Sequence, residues 1–218
     1  MSNLIGVIIS ILFIVIVMVV ASVLEKSGKE ITRKFIHIMV SNWWIIAMIF
    51  FDNMWWAAVV PLLFVIVNYV SYKSDLIKVM EREEGSENKD SLGTVYYAIS
   101  LLILALITFG PLKNPLIGLC GAIVMGYGDG FAAVIGQKFK SKEFKIGNST
   151  KSVAGSSAMF VVTLIIMTGF FYYVGASVWL LKAVVVALIM TIVEAVCPKG
   201  TDNLGVPLLT SLLAGLLM

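Results

Sequence analysis

The sequence predicts an all-α, polytopic integral membrane protein with about eight transmembrane helices and both termini outside. Three observations carry that expectation. The 218 residues are 60% hydrophobic and only 13% charged, with a mean hydropathy of +0.99, whereas soluble domains sit near 45–50% apolar and about 25% charged. The apolar residues gather into runs of membrane-spanning length. The basic residues alternate between the loops that separate those runs. No soluble domain of useful size is left over, so residues 1–218 read as a single transmembrane domain.

The expected spans are Leu4–Leu24, Phe35–Phe51, Trp55–Tyr72, Leu92–Phe109, Pro115–Lys138, Val153–Val174, Val178–Cys197 and Leu204–Met218. The first run is followed, not preceded, by basic residues, which is the wrong polarity for a signal peptide, so it is expected to be a permanent span. The first loop holds Lys26, Lys29, Arg33 and Lys34, and the third holds Lys73, Lys78, Arg82 and Lys89. The fifth holds Lys138, Lys140, Lys142, Lys145 and Lys151, and the seventh Lys199. Only Lys113 and Lys182 fall elsewhere. Basic loops face the cytoplasm, so odd loops are expected inside. The third loop, Lys73 to Asp90, mixes both signs and reads as a short surface helix followed by a turn. Trp43, Trp44, Trp55, Trp56, Tyr172, Tyr173 and Trp179 lie near span ends and read as interfacial anchors and packing.

Composition also excludes. The basic residues are scattered over short loops, so no nucleic-acid partner is expected. Two distant cysteines, Cys120 and Cys197, and a lone histidine cannot build a structural zinc site. Both cysteines fall in or beside expected spans, and no disulfide is expected.

The informative residues are polar ones at membrane depth. Asp129 is the one acidic residue inside the apolar run around it. An ionised carboxylate there is costly and marks a partner or a function. It follows roughly 14 residues of span five, about 20 Å at 1.5 Å per residue, which places it in the inner half of the bilayer. Arg33, His37 and Ser41 recur every four residues and share a helix face. Asn68, Tyr72 and Asp75 share a face of span three, Glu194 nears the inner end of span seven, and Asp202 and Asn203 precede span eight. Arg33, His37, Asn68, Asp129, Lys151, Glu194, Asp202 and Asn203 are thus expected at one face, the arrangement of a one-sided reaction site. A transporter places such groups at the midplane. Plainer readings stand beside this: His37 as an interfacial group, Glu194 as a solvated one, Asp202–Asn203 as a helix cap.

Gly126, Gly128, Gly130 and Gly136 surround Asp129. They form neither a dinucleotide fingerprint nor a P-loop. Glycines on both sides of Asp129 would let backbone approach a phosphate or open the helix, while Gly118, Cys120, Gly121 and Ala122 read as close helix packing. In GNSTKSVAGSSAMF, Ser149 or Thr150 is expected to cap span six, with Lys151, Ser152, Gly155 and Ser156 at its positive end. A lysine and small hydroxyls at a helix N-terminus suit an anion, though an ordinary cap fits the same residues.

Five segments in order, RKFIH (33–37), SLGTVYYA (91–98), GYGDGFAAVIGQKF (126–139), KSVAGSSAMF (151–160), and Glu194 with TDNLGVPL (201–208), resemble the dolichol kinase, phytol kinase and CTP-dependent diacylglycerol kinase family. The resemblance spans nearly the whole chain. It implies a lipid kinase domain that moves a phosphoryl group, usually from CTP, to the hydroxyl of a membrane lipid alcohol: a polyprenol, phytol or diacylglycerol. Asp129 matches the family's GDG motif, Lys151 and Ser152 its KS-x-x-GS motif, and Asp202 and Asn203 its DN motif. Gln137–Lys138–Phe139–Lys140 departs from a more usual glycine-containing end. Depth and spacing add the remaining expected roles: Asp129, with Glu194 or Asp202, on Mg²⁺; Arg33, Lys34, Gly128, Gly130, Ser152, Gly155, Ser156 and Asn203 at the nucleotide; and Asp129, Lys151 and His37 as catalytic, with His37 a candidate base. The site would face the cytoplasm from the cell membrane. Phosphatidate cytidylyltransferases are related, but their terminal HGG-x-D-R-x-D type motif is absent here. A non-enzymatic transporter is the remaining alternative.

Overall fold

A computed structural model describes residues 1–74, 92–139, 141–146, 149–197 and 200–218. The expected surface helix of the third loop lies outside these residues, as do Ser91 and the loop lysines Lys78, Lys89, Lys140 and Lys199. Each expected apolar run contains a helix. These are α1 (Ser2–Leu24), α2 (Lys29–Phe50), α3 (Met54–Ser74), α4 (Gly93–Phe109), α5 (Pro115–Ile123), α6 (Gly130–Lys138), α7 (Val153–Tyr173), α8 (Trp179–Val196) and α9 (Asp202–Leu217). Ser2–Leu24, Met54–Lys73, Pro115–Lys138, Val153–Tyr173 and Trp179–Val196 are long and apolar enough to cross a membrane. α4 and α9 are apolar but shorter, and α2 opens on the charged sequence KEITRK.

The rod from Pro115 to Lys138 is the axis. Its spanning window is 67% buried, against 22–33% for the other four, whose apolar side chains mostly point outward. Around it α1 packs on α2, α3 on α4, and α7 on α8, while α9 closes against α4, α5 and α8. Trp43 and Trp44 are fully buried in the core instead of sitting in an interfacial belt. The Trp43 indole donates to Ser10 Oγ at 2.8 Å and the Trp44 indole to the Pro115 carbonyl at 2.9 Å. A buried indole N–H needs such a partner, and these two tie α2 to α1 and to the axial rod.

Between α5 and α6 the backbone widens into a π-type turn, Val124–Asp129. π-turns interrupt α-helices where one extra residue must be fitted in, often at functional sites. The glycines here serve contact between helices. A Cβ on Gly126 would lie 2.4 Å from Ser41 Oγ, and one on Gly128 2.6 Å from Met159 Sδ. The axial rod therefore presses on α2 and α7 at those two points.

The basic fifth loop contains an antiparallel hairpin of β1 (Glu143–Ile146) and β2 (Ser149–Ser152), with Lys151 opposite Phe144. β2 runs straight into α7. The cap of α7 is therefore Ser152, whose Oγ accepts from the Gly155 amide at 3.1 Å, not Ser149 or Thr150.

Candidate active site

The start of α2, one face of α6, the hairpin, the end of α8 and the start of α9 meet at one end of the bundle and enclose a cavity of about 780 Å³. These segments flank the first, fifth and seventh loops, three of the four odd loops that carry most of the basic residues. Sequence separation is large: Lys34 of α2 reaches Asp129 of the π-turn across 95 positions, and Lys151 of β2 reaches Glu194 of α8 across 43. Both contacts are ion pairs, and the Lys34–Asp129 pair is almost wholly buried. Desolvating a charge costs several kcal/mol unless a counter-charge repays it. The pairing is the physical reason two carboxylates are tolerated here.

Asp202 completes the group. One carboxylate oxygen from each of Asp129, Glu194 and Asp202 can be chosen so that all lie within 4.8 Å of one another. Asp202 Oδ1 accepts from the Asn203 amide at 3.0 Å. Arg33 lines the same cavity and is held by Glu30, with Nη2 donating to Oε1 at 2.6 Å and Nε to Oε2 at 3.1 Å. For Lys151, burial alone would lower the ammonium pKa. The charge and hydrogen bond of Glu194, with Asp202 and Asp129 behind it, outweigh burial and leave it raised.

The first turns of α7 supply the remaining wall. Ser152, Gly155 and Ser156 line the cavity, and the Ser156 hydroxyl is buried with no hydrogen-bond partner. An orphaned donor beside a helix N-terminus is a group waiting for an acceptor. Gly136 and Gly155 let α6 and α7 approach: a Cβ on Gly155 would meet the Ala132 carbonyl at 2.8 Å.

Of the residues expected from sequence, Arg33, Lys34, Asp129, Lys151, Ser152, Gly155, Ser156, Glu194, Asp202 and Asn203 line this cavity. Gly128 and Gly130 do not. A Cβ added to them would meet Met159 of α7 and Ile38 of α2, so each packs against a neighbouring helix. Asn68 and His37 also lie outside it, on a smaller apolar cavity. His37 still connects to the site, because its Nε2 stands 3.2 Å from Asn203 Oδ1. Glu30, Ala133, Gln137, Ser141, Glu143 and Thr150 are among the lining residues that sequence reasoning missed. Two carried a signal: Glu30 stands three residues before Arg33, ion-pair spacing on a helix, and Ala133 stands one turn after Asp129.

Fold and cavity together define a class: a helical, membrane-type protein with a charged pocket of carboxylates and lysines at one end. The chain belongs to the phytol kinase family. It is 33% identical over 208 residues to a probable chloroplastic phytol kinase of Triticum aestivum, covering 87% of this chain and 68% of that one. It is 30% identical over 193 residues to the phytol kinase of Synechocystis sp., covering 88% and 81%. It is 30% identical over 205 residues to the chloroplastic phytol kinase 1 of Arabidopsis thaliana, covering 85% and 66%. No family model and no solved structure matches the chain.

Proposed function

We propose that this protein is a CTP-dependent lipid-alcohol kinase, one transmembrane unit over residues 1–218, working at the cytoplasmic face of the cell membrane. Family membership carries the coarser part: a phosphotransferase acting on a lipid alcohol. The observation that supports this site for it is the meeting of three carboxylates, two lysines and the start of α7 in one cavity. The side follows from the basic loops at that end, with eight spans and both termini outside. CTP as donor rests on the family resemblance.

Phosphoryl transfer asks mainly for positioning and charge neutralisation. Asp129, Glu194 and Asp202 would hold Mg²⁺. Their oxygens, within 4.8 Å of one another, could be brought onto one cation by side-chain rotation. Bound there, the ion would neutralise phosphate charge. Lys34 and Lys151, which neutralise those carboxylates otherwise, are then free to turn to phosphate oxygens. Ser156 Oγ and the first amides of α7 donate to the same group, and Arg33 stays oriented by Glu30. The alcohol gives its proton to a base, for which His37 is the candidate. Its oxygen bonds to the γ-phosphorus, the bond to the β-phosphate oxygen breaks, and the nucleoside diphosphate leaves.

The test is purified protein in lipid nanodiscs with labelled CTP or ATP and a panel of lipid alcohols that includes phytol, polyprenol and diacylglycerol. CDP and a phosphorylated lipid are expected, with loss on chelation of Mg²⁺. Release of pyrophosphate with a CDP-lipid would replace the reading by cytidylyl transfer. Full activity of Asp129→Asn or Lys151→Ala would remove the assigned site.

A further inference from the structure

The second cavity, about 100 Å³, lies between α1, α2, α3 and α4. Its wall is mostly apolar, with Val17, Val40, Phe64 and Leu101 among its residues; its polar members are Asn68 and Thr94, paired by an Asn68 Nδ2 bond to the Thr94 carbonyl at 3.3 Å, and His37 and Tyr97, which stack with ring centroids 4.8 Å apart. α1 packs mainly on α2 and α3 mainly on α4, so the α1–α3 contact is the loose seam of this side. Val67, on the lining, is also exposed on the outside of the bundle.

His37 joins this cavity to the charged one, and its hydrogen bonds are incomplete. Nδ1 stands 3.2 Å from the Arg33 carbonyl oxygen and Nε2 3.2 Å from Asn203 Oδ1. The Asn203 amide cannot simply turn over, because its Nδ2 donates to the Gly200 carbonyl at 3.0 Å. A neutral imidazole carries one N–H. With the N–H on Nδ1 donating to the Arg33 carbonyl, Nε2 faces Asn203 Oδ1 without a proton. A hydroxyl group arriving at Nε2 would then supply that proton as a donor.

We propose that the small cavity holds the hydrocarbon next to the hydroxyl of the acceptor alcohol, which enters through the α1–α3 seam and presents its oxygen to His37 Nε2, displacing the direct contact with Asn203 Oδ1. This rests on the lipid-kinase reading and adds to it where the acceptor sits. The chain beyond the first carbons lies along the seam in the bilayer. Branching near the hydroxyl is then sensed by Val17, Val40 and Leu101, while the far end of the chain is not. The kinase would discriminate alcohols by the shape of the hydroxyl end, not by overall length.

The experiment photolabels the full chain in nanodiscs, without nucleotide, using a long-chain branched alcohol that bears a diazirine near its hydroxyl. Labelled residues lining the α1–α4 cavity, lost on competition with the unlabelled alcohol, are expected. A pattern matching that of a diazirine alkane on all lipid-facing helices, or label elsewhere, overturns the proposal. Kinetics give a second arm. Val67→Trp, at the exposed mouth, should raise KM for the alcohol about tenfold by overpacking with the nucleotide KM unchanged; an unchanged alcohol KM counts against the site. Labelling uses no nucleotide turnover, so a protein that labels correctly yet phosphorylates no alcohol would sink the kinase reading alone.

Discussion

The two ends of the bundle carry cavities of similar size, about 780 Å³ at one and about 650 Å³ at the other. Each has an aspartate at a helix boundary, and there the likeness stops. Asp52, between α2 and α3, is exposed and accepts from the Asn3 and Asn53 side-chain amides at 3.0 and 2.6 Å. Asp129 is buried and held by Lys34. A solvated carboxylate costs nothing and needs only neutral donors. A buried one must be matched by charge, and the matching residues must be brought from other helices. Volume does not mark the site; the cost of its charges does.

The sharpest way to break this comparison is to remove the buried acid. Asp129→Asn is expected to lower turnover about 10³-fold, the scale on which lost transition-state electrostatics act. It should also destabilise the fold by about 3–5 kcal/mol, because Lys34 is left buried and unpaired. Adding Lys34→Met should recover the thermal midpoint but not activity, which a melting curve beside a turnover assay separates. Lys151→Ala comes next, with an expected loss of about 10²-fold in kcat/KM, seen chiefly in the nucleotide. A loss confined to the alcohol KM would contradict that role.

Packing at the axial rod can be tested independently of charge. Gly128→Val places a branched side chain where even a Cβ meets Met159 Sδ at 2.6 Å, and should cost about 1–3 kcal/mol. Gly169→Ala, with nothing within 4 Å, should be neutral or stabilise α7 by about 0.5–1 kcal/mol. At the other end, Asp52→Asn should leave kinase activity within twofold and stability within about 0.5 kcal/mol. A large effect there would erase the contrast between the two ends.

The smallest effect concerns pH. The folded pKa of Lys151 is raised, so the stability from its pairing with Glu194 is fully present below the ordinary lysine value. It is lost only as pH rises through the raised one. From neutral pH to about 9, the difference in melting temperature between wild type and Lys151→Met should therefore stay flat. A decline within that range would show that the ammonium is not held by its partner.

Much of the site was legible because membrane depth makes charge conspicuous. Asp129, Glu194, Asp202 and Lys151 stood out as ionisable groups within or beside apolar runs, and the structure gathers them. The glycines were legible as a pattern but not as a role. Gly128 and Gly130 flank the key aspartate in sequence, yet a helical neighbour points about 100° away, so they face α7 and α2 while Asp129 faces the cavity. Ser149 and Thr150 are expected caps because Ser and Thr cap helices; pairing with β1 takes these residues into a strand and leaves the cap to Ser152.

What the sequence determined alone is the helical, membrane-type class, the order of the apolar rods and the identity of the costly residues. Those follow from solvent preference, which each segment expresses by itself. Which lysine answers which carboxylate, where the axial helix opens into a π-turn, and how His37 bridges a charged and an apolar cavity were decided only in three dimensions. Pairing of charges and completion of hydrogen bonds depend on distances between segments far apart in the chain, and no local pattern encodes those distances.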